Sequence, residues 1–382
     1  MHTVEVGDFT VGDGHPPRVM GVLNMSVESN YTPSVRGDTP EAATFAEEMA
    51  EAGADIIDIG LQSANPKNEW LPPEVEKDRL AKALAVVDAA DTDAAFSLET
   101  RYAEVAEAGI EGGFDLINDV CGFADPKMKE VCADHEAPVV KMASPPDIKK
   151  PGHLRTVDEV FEALQRDGFT GETIIDPAFG QWHPKITYED NWERFRRMRE
   201  FRAFGRPMVT ATNREDFLGD IADRPDTDDQ LHVSLAAATM EVERGAHIVR
   251  THDVPETHDV VKIAHFLGDE RTVADSPRVA ELTDVSRREI ERHLHLRGDD
   301  GDAAASVSPL FFQVERLDGD AEGYLADWAE GRDVLFTQGA DGHLLAGTVA
   351  AFHDGLDALS DGPGDAAEVA GNVRQAVARQ LD

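Results

Sequence analysis

The sequence predicts an α/β protein, a (β/α)8 TIM barrel followed by a small C-terminal α+β domain. Three observations carry that expectation. First, over two-thirds of the chain a short apolar run, a polar loop and a stretch of apolar residues at helical spacing recur about eight times. The segment AFSLETRYAEVAEAGIEGGFDLINDV, Ala95 to Val120, holds two such units in succession. Second, each apolar run ends in a hydrogen-bonding side chain, Glu99 and Asn118 in that segment, which is where a parallel α/β sheet carries its chemistry. Third, 382 residues exceed the roughly 250 of such a barrel, and past Gly268 the texture changes to Asp/Gly-rich connectors between short patterned pieces. The expected domains are residues 1–270 and 271–382.

Val4, Val6, Phe9 and Val11 alternate with polar residues around Gly7 and Asp8, a hairpin placed to plug the bottom of the barrel. Val19–Leu23 reads as the first barrel strand, followed by a long flap-like loop to Asp38 and a helix with Thr39 as its cap and Pro40 at its first position. Ile56–Ile59 is the second strand. The loop GLQSANPKNEWLPP leads to a helix through Leu80, Leu84 and Val87. Ala95–Leu98 and Leu116–Ile117 come next, the helix between them carrying Tyr102, Val105, Ala106 and Ile110 on one face. Pro138–Lys141, Thr173–Ile175, Met208–Thr210 and Ile248–Val249 complete the strands, with helices over Val157–Leu164, through Trp192, Phe195 and Met198, over Leu231–Val242, and through Val260, Ala264 and Leu267. The arginines from Arg194 to Arg202 read as a solvated helix face. In the C-terminal part Phe311–Leu317 and Val334–Phe336 look like strands, and Ser286–Leu296, Ala321–Trp328, Val349–Leu359 and Ala366–Leu381 like helices.

The formal charge of −39 is spread along a well-patterned chain, which argues against disorder and against a nucleic-acid partner. No lysine follows Lys262, and excess carboxylate with arginine favoured over lysine suits a salt-accumulating cytoplasm, where screening weakens self-repulsion. No run reaches the roughly 18 apolar residues of a membrane span, and the N-terminus lacks the layout of a signal peptide, so a cytoplasmic protein with no membrane partner is expected. Cys121 and Cys132 show no metal-binding spacing and read as buried thiols.

Collected from the strand ends, the polar set is Asn24, Asp58, Gln62, Glu99, Asn118, Lys141, Asp176, Arg250 and His252, expected at one mouth. Singly, Asn118 or Asp176 reads as a helix cap, Glu99 as a partner of Arg101, Asp58 as a support of the mouth, and His252 as a structural histidine. Together they sit in the strings MGVLNMSVES, GADIIDIGLQSANP, FSLETRYAEVAEAGIEGGFDLINDV, IIDPAFG, PMVTATNREDFLG and GAHIVRTHDV. In order and spacing these resemble the active-site motifs of the dihydropteroate synthase family, over about residues 4 to 268.

The resemblance implies a TIM barrel that binds Mg2+ and 6-hydroxymethyl-7,8-dihydropterin diphosphate and transfers the pterin methylene to p-aminobenzoate. By match, Asn24 resembles the metal- and diphosphate-binding asparagine, Asn118 and Asp176 the residues that read the pterin edge, and Arg250 with His252 the pair that holds ring and diphosphate. Asp176, Arg250 and His252 are the implied catalytic set, and Glu99 and Arg214 are further substrate-binding candidates. Three positions depart from the family pattern. Glu99 replaces an aspartate, Ser63-Ala64-Asn65 stands for Ser-Thr-Arg, and Asn213-Arg214-Glu215-Asp216 stands for Ser-Arg-Lys-Ser; Lys67 and Arg214 are candidate substitutes for the lost cations. A pterin-binding homologue with impaired catalysis and a pterin-dependent methyltransferase remain alternative readings, and homodimerisation stays open.

Overall fold

The computed structural model describes residues 2–26, 32–63, 68, 70–268, 273–275, 278–280, 285–296, 298, 303–314, 317–339 and 342–381. Ala64, Asn65 and Lys67 of the second loop lie outside them, as do residues 27–31 of the first. The chain divides into two compact units, Met1–Val279 and Ala280–Asp382.

In the first unit β1 (Val4–Val6) and β2 (Phe9–Val11) pair antiparallel. Eight parallel strands follow: β3 (Arg18–Asn24), β4 (Ile56–Gly60), β5 (Ala95–Thr100), β6 (Leu116–Asp119), β7 (Val139–Met142), β8 (Thr173–Asp176), β9 (Val209–Thr210) and β10 (Ile248–Thr251). Neighbours pair in chain order from β3 to β8, and β10 pairs with both β3 and β9. A parallel bridge from Ile175 to Met208, beside β9, closes the ring. The helices are α1 (Thr39–Glu51), α2 (Pro73–Ala89), α3 (Ala103–Glu111), α4 (Met128–Asp134), α5 (Val157–Gln165), α6 (Tyr188–Arg196), α7 (Asp216–Ile221), α8 (Leu231–Glu243) and α9 (Val254–Phe266).

The period of two along a strand decides what the barrel encloses. Each of the eight strands gives one side chain to a bottom layer: Met20, Ile56, Ala95, Leu116, Val140, Ile174, Val209 and Ile248. Val4, Val6 and Val11 pack against it, so the hairpin plugs that end as expected. Burying each of these side chains other than Ala95 contributes about 1.5–3 kcal/mol. Two residues further along, the same inward phase carries Asp58, Ser97, Asn118, Asp176 and Arg250. The apolar floor therefore positions the polar layer above it.

Local chemistry sets the helix ends. Thr156 with Glu159 and Thr187 with Asp190 form capping boxes that start α5 and α6. At α1 the expected cap shifts by one: Asp38 is the N-cap and Thr39 and Pro40 occupy the first helical positions. The helix through Trp192 stops at Arg196 and continues as a 3-10 turn, Met198–Phe204. Helices α4 and α7, of seven and six residues, are too short to display a helical period and were not predicted.

A ribbon of β11 (Val273–Asp275) and β12 (Arg278–Ala280) precedes the second unit's helices α10 (Arg287–His295) and α11 (Ala304–Val307). There β13 (Pro309–Val314), β14 (Val334–Gly339) and β15 (Gly342–Thr348) form an antiparallel sheet with β15 in the middle. With α12 (Gly319–Ala329), α13 (Val349–Ser360) and α14 (Asp365–Leu381) they make an α+β unit around Leu325, Trp328, Leu345 and Phe352. No helix among the described residues is long and apolar enough to cross a membrane.

Candidate active site

Asp58, midway along β4 and fully buried, is the hub of the polar layer. Its Oδ1 accepts from Ser97 Oγ at 2.6 Å, and its Oδ2 accepts from Asn118 Nδ2 at 3.0 Å and from Arg250 Nε at 2.7 Å. Arg250 Nη2 donates to Glu99 Oε2 at 2.7 Å. Two carboxylates thus clamp one guanidinium, and a buried charge with partners of this geometry is held rigidly. Burial opposes the charge on Arg250, but Asp58 and Glu99 raise its pKa. Burial pushes Glu99 up against the pull of Arg250.

Asp176, at the end of β8, is buried and accepts from the Ala178 N–H at 2.7 Å. Burial raises its carboxyl to about 6, against the pull of that N–H and of Arg250. Asn24 ends β3 with its Nδ2 donating to Ser34 Oγ at 2.9 Å. Its Oδ1 lies 3.1 Å from where a Gly60 Cβ would stand, and Glu99 Oε1 lies 3.9 Å from the same point. The missing side chain at Gly60 lets both oxygens approach one corner of the mouth.

His252 follows β10, its N–H donating to Asn213 Oδ1 at 3.0 Å. Burial, then Arg250, lowers its imidazole to about 3, so it is neutral at pH 7. Arg214 has φ 55°, a left-handed conformation unusual for a residue with a Cβ. Its N–H donates to Ser234 Oγ at 2.7 Å, and its Nε and Nη2 reach the two oxygens of Asp253 at 2.8 and 2.9 Å. Asn213 Nδ2 also donates to Asp253, at 2.9 Å, so that carboxylate ties the loop after β9 to the loop after β10.

Asn24, Asp58, Glu99, Asn118, Asp176, Arg250 and His252 therefore share the C-terminal end of the barrel, Arg250 linking four strands through its partners. Two members of the expected set do not join them. Lys141 follows the inward Val140 by one residue and points out of the barrel, where Nζ donates to the carbonyls of Leu164 and Gly168 at 2.9 and 3.0 Å and caps the end of α5. Gln62 is turned to its own loop, accepting from Leu71 N–H at 2.7 Å and donating to the buried Glu76 at 3.3 Å. The direct ion-pair partner of Glu99 is Arg250; Arg101 acts on it through charge, and its Nη1 donates to the Ile148 carbonyl at 3.3 Å.

Sequence reasoning missed three contributors. Ser97 lies two residues before Glu99 and so in its phase; that signal was available. Arg194, read as solvated, is fully buried and donates to the carbonyls of Pro177, Ala178 and Leu154, bracing the loop that leaves Asp176. It shares a helical stripe with the buried Asn191, Phe195 and Met198, and Arg202, also read as solvated, is buried against Asp13. Asp253 acts only through the tertiary pairing of two loops, which leaves no local trace.

The sequence model of the family described as pterin binding enzyme matches residues 20–252. A probable bifunctional folylpolyglutamate synthase/dihydropteroate synthase of Haloferax volcanii is 32% identical over 67% of this chain, and the chain spans 31% of that relative's length. The dihydropteroate synthase of Synechocystis is 30% identical over 69% of this chain and 94% of its own. Among solved structures, dihydropteroate synthase from Thermus thermophilus in complex with 4-aminobenzoate superposes with a TM-score of 0.57 at 29% identity, covering 70% of this chain and all (100%) of the other. With the barrel, the polar layer above its floor and these relatives in agreement, the chain belongs to the dihydropteroate synthase family of pterin-binding enzymes.

Proposed function

We propose that the chain is a dihydropteroate synthase, joining 6-hydroxymethyl-7,8-dihydropterin diphosphate to p-aminobenzoate. The observation that carries this reading is the Asp58-centred layer. Asn118 gives its Nδ2 to Asp58, which leaves its Oδ1 as an acceptor, and Asp176 keeps acceptor capacity beyond the Ala178 N–H. Together they suit the N–H-rich edge of a pterin. Arg250 is fixed by Asp58 and Glu99 with its side chain 21% exposed, which leaves a face to stack on the ring.

In the reaction the amine nitrogen bonds to the exocyclic methylene as its C–O bond breaks, diphosphate departs with the electron pair, and the proton lost from the amine nitrogen passes to solvent. A neutral His252 beside Arg250 contributes a hydrogen-bonding ring without added charge. Asn24 is the residue that would hold magnesium, whose charge would offset that of the leaving diphosphate. The donor chemistry fits: Asn24 Oδ1 and Glu99 Oε1 border the space over Gly60, 3.1 and 3.9 Å from where its Cβ would stand. A hard cation with one or two protein oxygens, completed by phosphate and water, is the arrangement magnesium tolerates.

We also read the acidic surface as that of a salt-adapted cytoplasmic protein, and residues 271–382 as a separate domain outside the catalytic reading. The test is diphosphate release from the pterin diphosphate by purified protein in molar potassium chloride, with and without p-aminobenzoate. Amine-dependent release is expected. Its absence under all salt conditions would refute the assignment.

A further inference from the structure

An aspartate that does not cap it begins α9. Asp253 occupies the N-cap, but Pro255 at the second helical position has no N–H to give, and the carboxylate makes no capping hydrogen bond. It turns instead to the loop after β9, where its Oδ2 accepts from Asn213 Nδ2 and Arg214 Nε, and its Oδ1 from Arg214 Nη2. Arg214 Nη1 donates to the carbonyls of Thr227 and Asp228 at 2.7 and 3.4 Å, so every guanidinium nitrogen of this side chain already donates within the protein. The ion pair is nearly buried, its side chains 11% and 13% exposed, which protects it from the screening that weakens surface pairs. Asn213 completes the connection, since its Oδ1 accepts from the His252 N–H at 3.0 Å. A left-handed arginine, an uncapped helix start and a bidentate ion pair thus coincide where two loops of the mouth meet.

We propose that Asp253 is a positioning residue that holds His252 in place for the diphosphate, and that Arg214 serves this pairing rather than the substrate anion. The proposal rests on the reading of Arg250 and His252 as the pair that holds pterin ring and diphosphate. A guanidinium already bidentate on a carboxylate has its fork filled, so a substrate anion would have to leave Asp253 nearly buried and without its cation. Asp253 fixes Asn213, and Asn213 fixes the backbone of His252. The residues assigned to the pterin edge stand outside this chain of contacts: Asn118 is oriented by Asp58, and Asp176 by the Ala178 N–H. Arg250 is held separately by Asp58 and Glu99. Disturbing Asp253 therefore acts on the hold of the diphosphate and spares the reading of the ring.

The test is calorimetric titration of 6-hydroxymethyl-7,8-dihydropterin diphosphate, and of the same pterin without its diphosphate, into wild type, Asp253→Asn, Arg214→Met and the double variant, with magnesium chloride present and at a salt concentration where all are folded. Asp253→Asn should raise the Kd of the diphosphate about tenfold, within the range for residues of one hydrogen-bond network, and leave that of the diphosphate-free pterin unchanged. Arg214→Met should do the same, and the double variant should lose no more than either single one. If Asp253→Asn does not fold, Asn213→Ala, which cuts the tie to His252 and keeps the ion pair, should show the same selective loss. Unchanged diphosphate affinity, equal losses for both ligands, losses that add in the double variant, or a larger cost for Arg214→Met than for Asp253→Asn would overturn the proposal. A wild type that binds the diphosphate no more tightly than the diphosphate-free pterin refutes instead the reading of Arg250 and His252 on which it rests, and the proposal with it.

Discussion

Asp58 shows how one buried side chain can organise a site it need not touch. Its two oxygens orient Asn118 and Arg250 and accept from Ser97, so removing its charge leaves Arg250 ion-paired to Glu99, with Asp176 acting through its charge. Breaking one partner of a buried pair costs about 3–5 kcal/mol. Asp58→Asn is expected to weaken pterin binding by well over tenfold while the fold survives, as read by calorimetry and circular dichroism; an unchanged affinity would make Asp58 a support only. Glu215 offers a second check at this scale. Its folded pKa, about 8, lies above the ordinary 4.5, so the fold favours the protonated form. The associated stability is complete below pH 4.5 and is lost as pH rises through 8. Thermal midpoints should fall between pH 6 and 9 less steeply in Glu215→Gln than in the wild type, and parallel curves would place the titration elsewhere.

At the scale of elements, the alternation along the strands separated what was legible from what was not. Strand ends and the barrel order could be read from the apolar runs, and Asn118, Asp176 and Arg250 stand in phase with the floor residues Leu116, Ile174 and Ile248. Lys141 was misplaced because its position at a strand end was read without its phase: Val140 is inward, so Lys141 cannot be. Arg194 and Asp253 were missed because their partners are carbonyls and loops distant in sequence. Lys141→Met should therefore lower the thermal midpoint, since it removes a cation from the end of α5, at about 2–4 °C per kcal/mol for a unit of this size. Pterin affinity should stay as in the wild type. Arg194→Leu should do both harms, because it releases the carbonyls of Pro177 and Ala178 next to Asp176.

For the whole molecule the charge of −39 is the dominant fact. Self-repulsion of this size opposes compaction until it is screened, and the screening length falls from about 10 Å at 0.1 M to about 3 Å at 1 M salt. The unfolding midpoint should rise through that range of potassium chloride, and a flat response would remove the salt-adaptation reading. The central claim, that this mouth reads a pterin through Asp176 and the Asp58-centred layer, is tested most directly by calorimetric titration of 6-hydroxymethyl-7,8-dihydropterin diphosphate into wild type and Asp176→Asn at a salt concentration where both are folded. Loss of a hydrogen bond to a charged acceptor costs about 1.5–3 kcal/mol, so the substitution should raise Kd by about ten- to a hundredfold. Equal affinities in the two folded proteins would contradict the account.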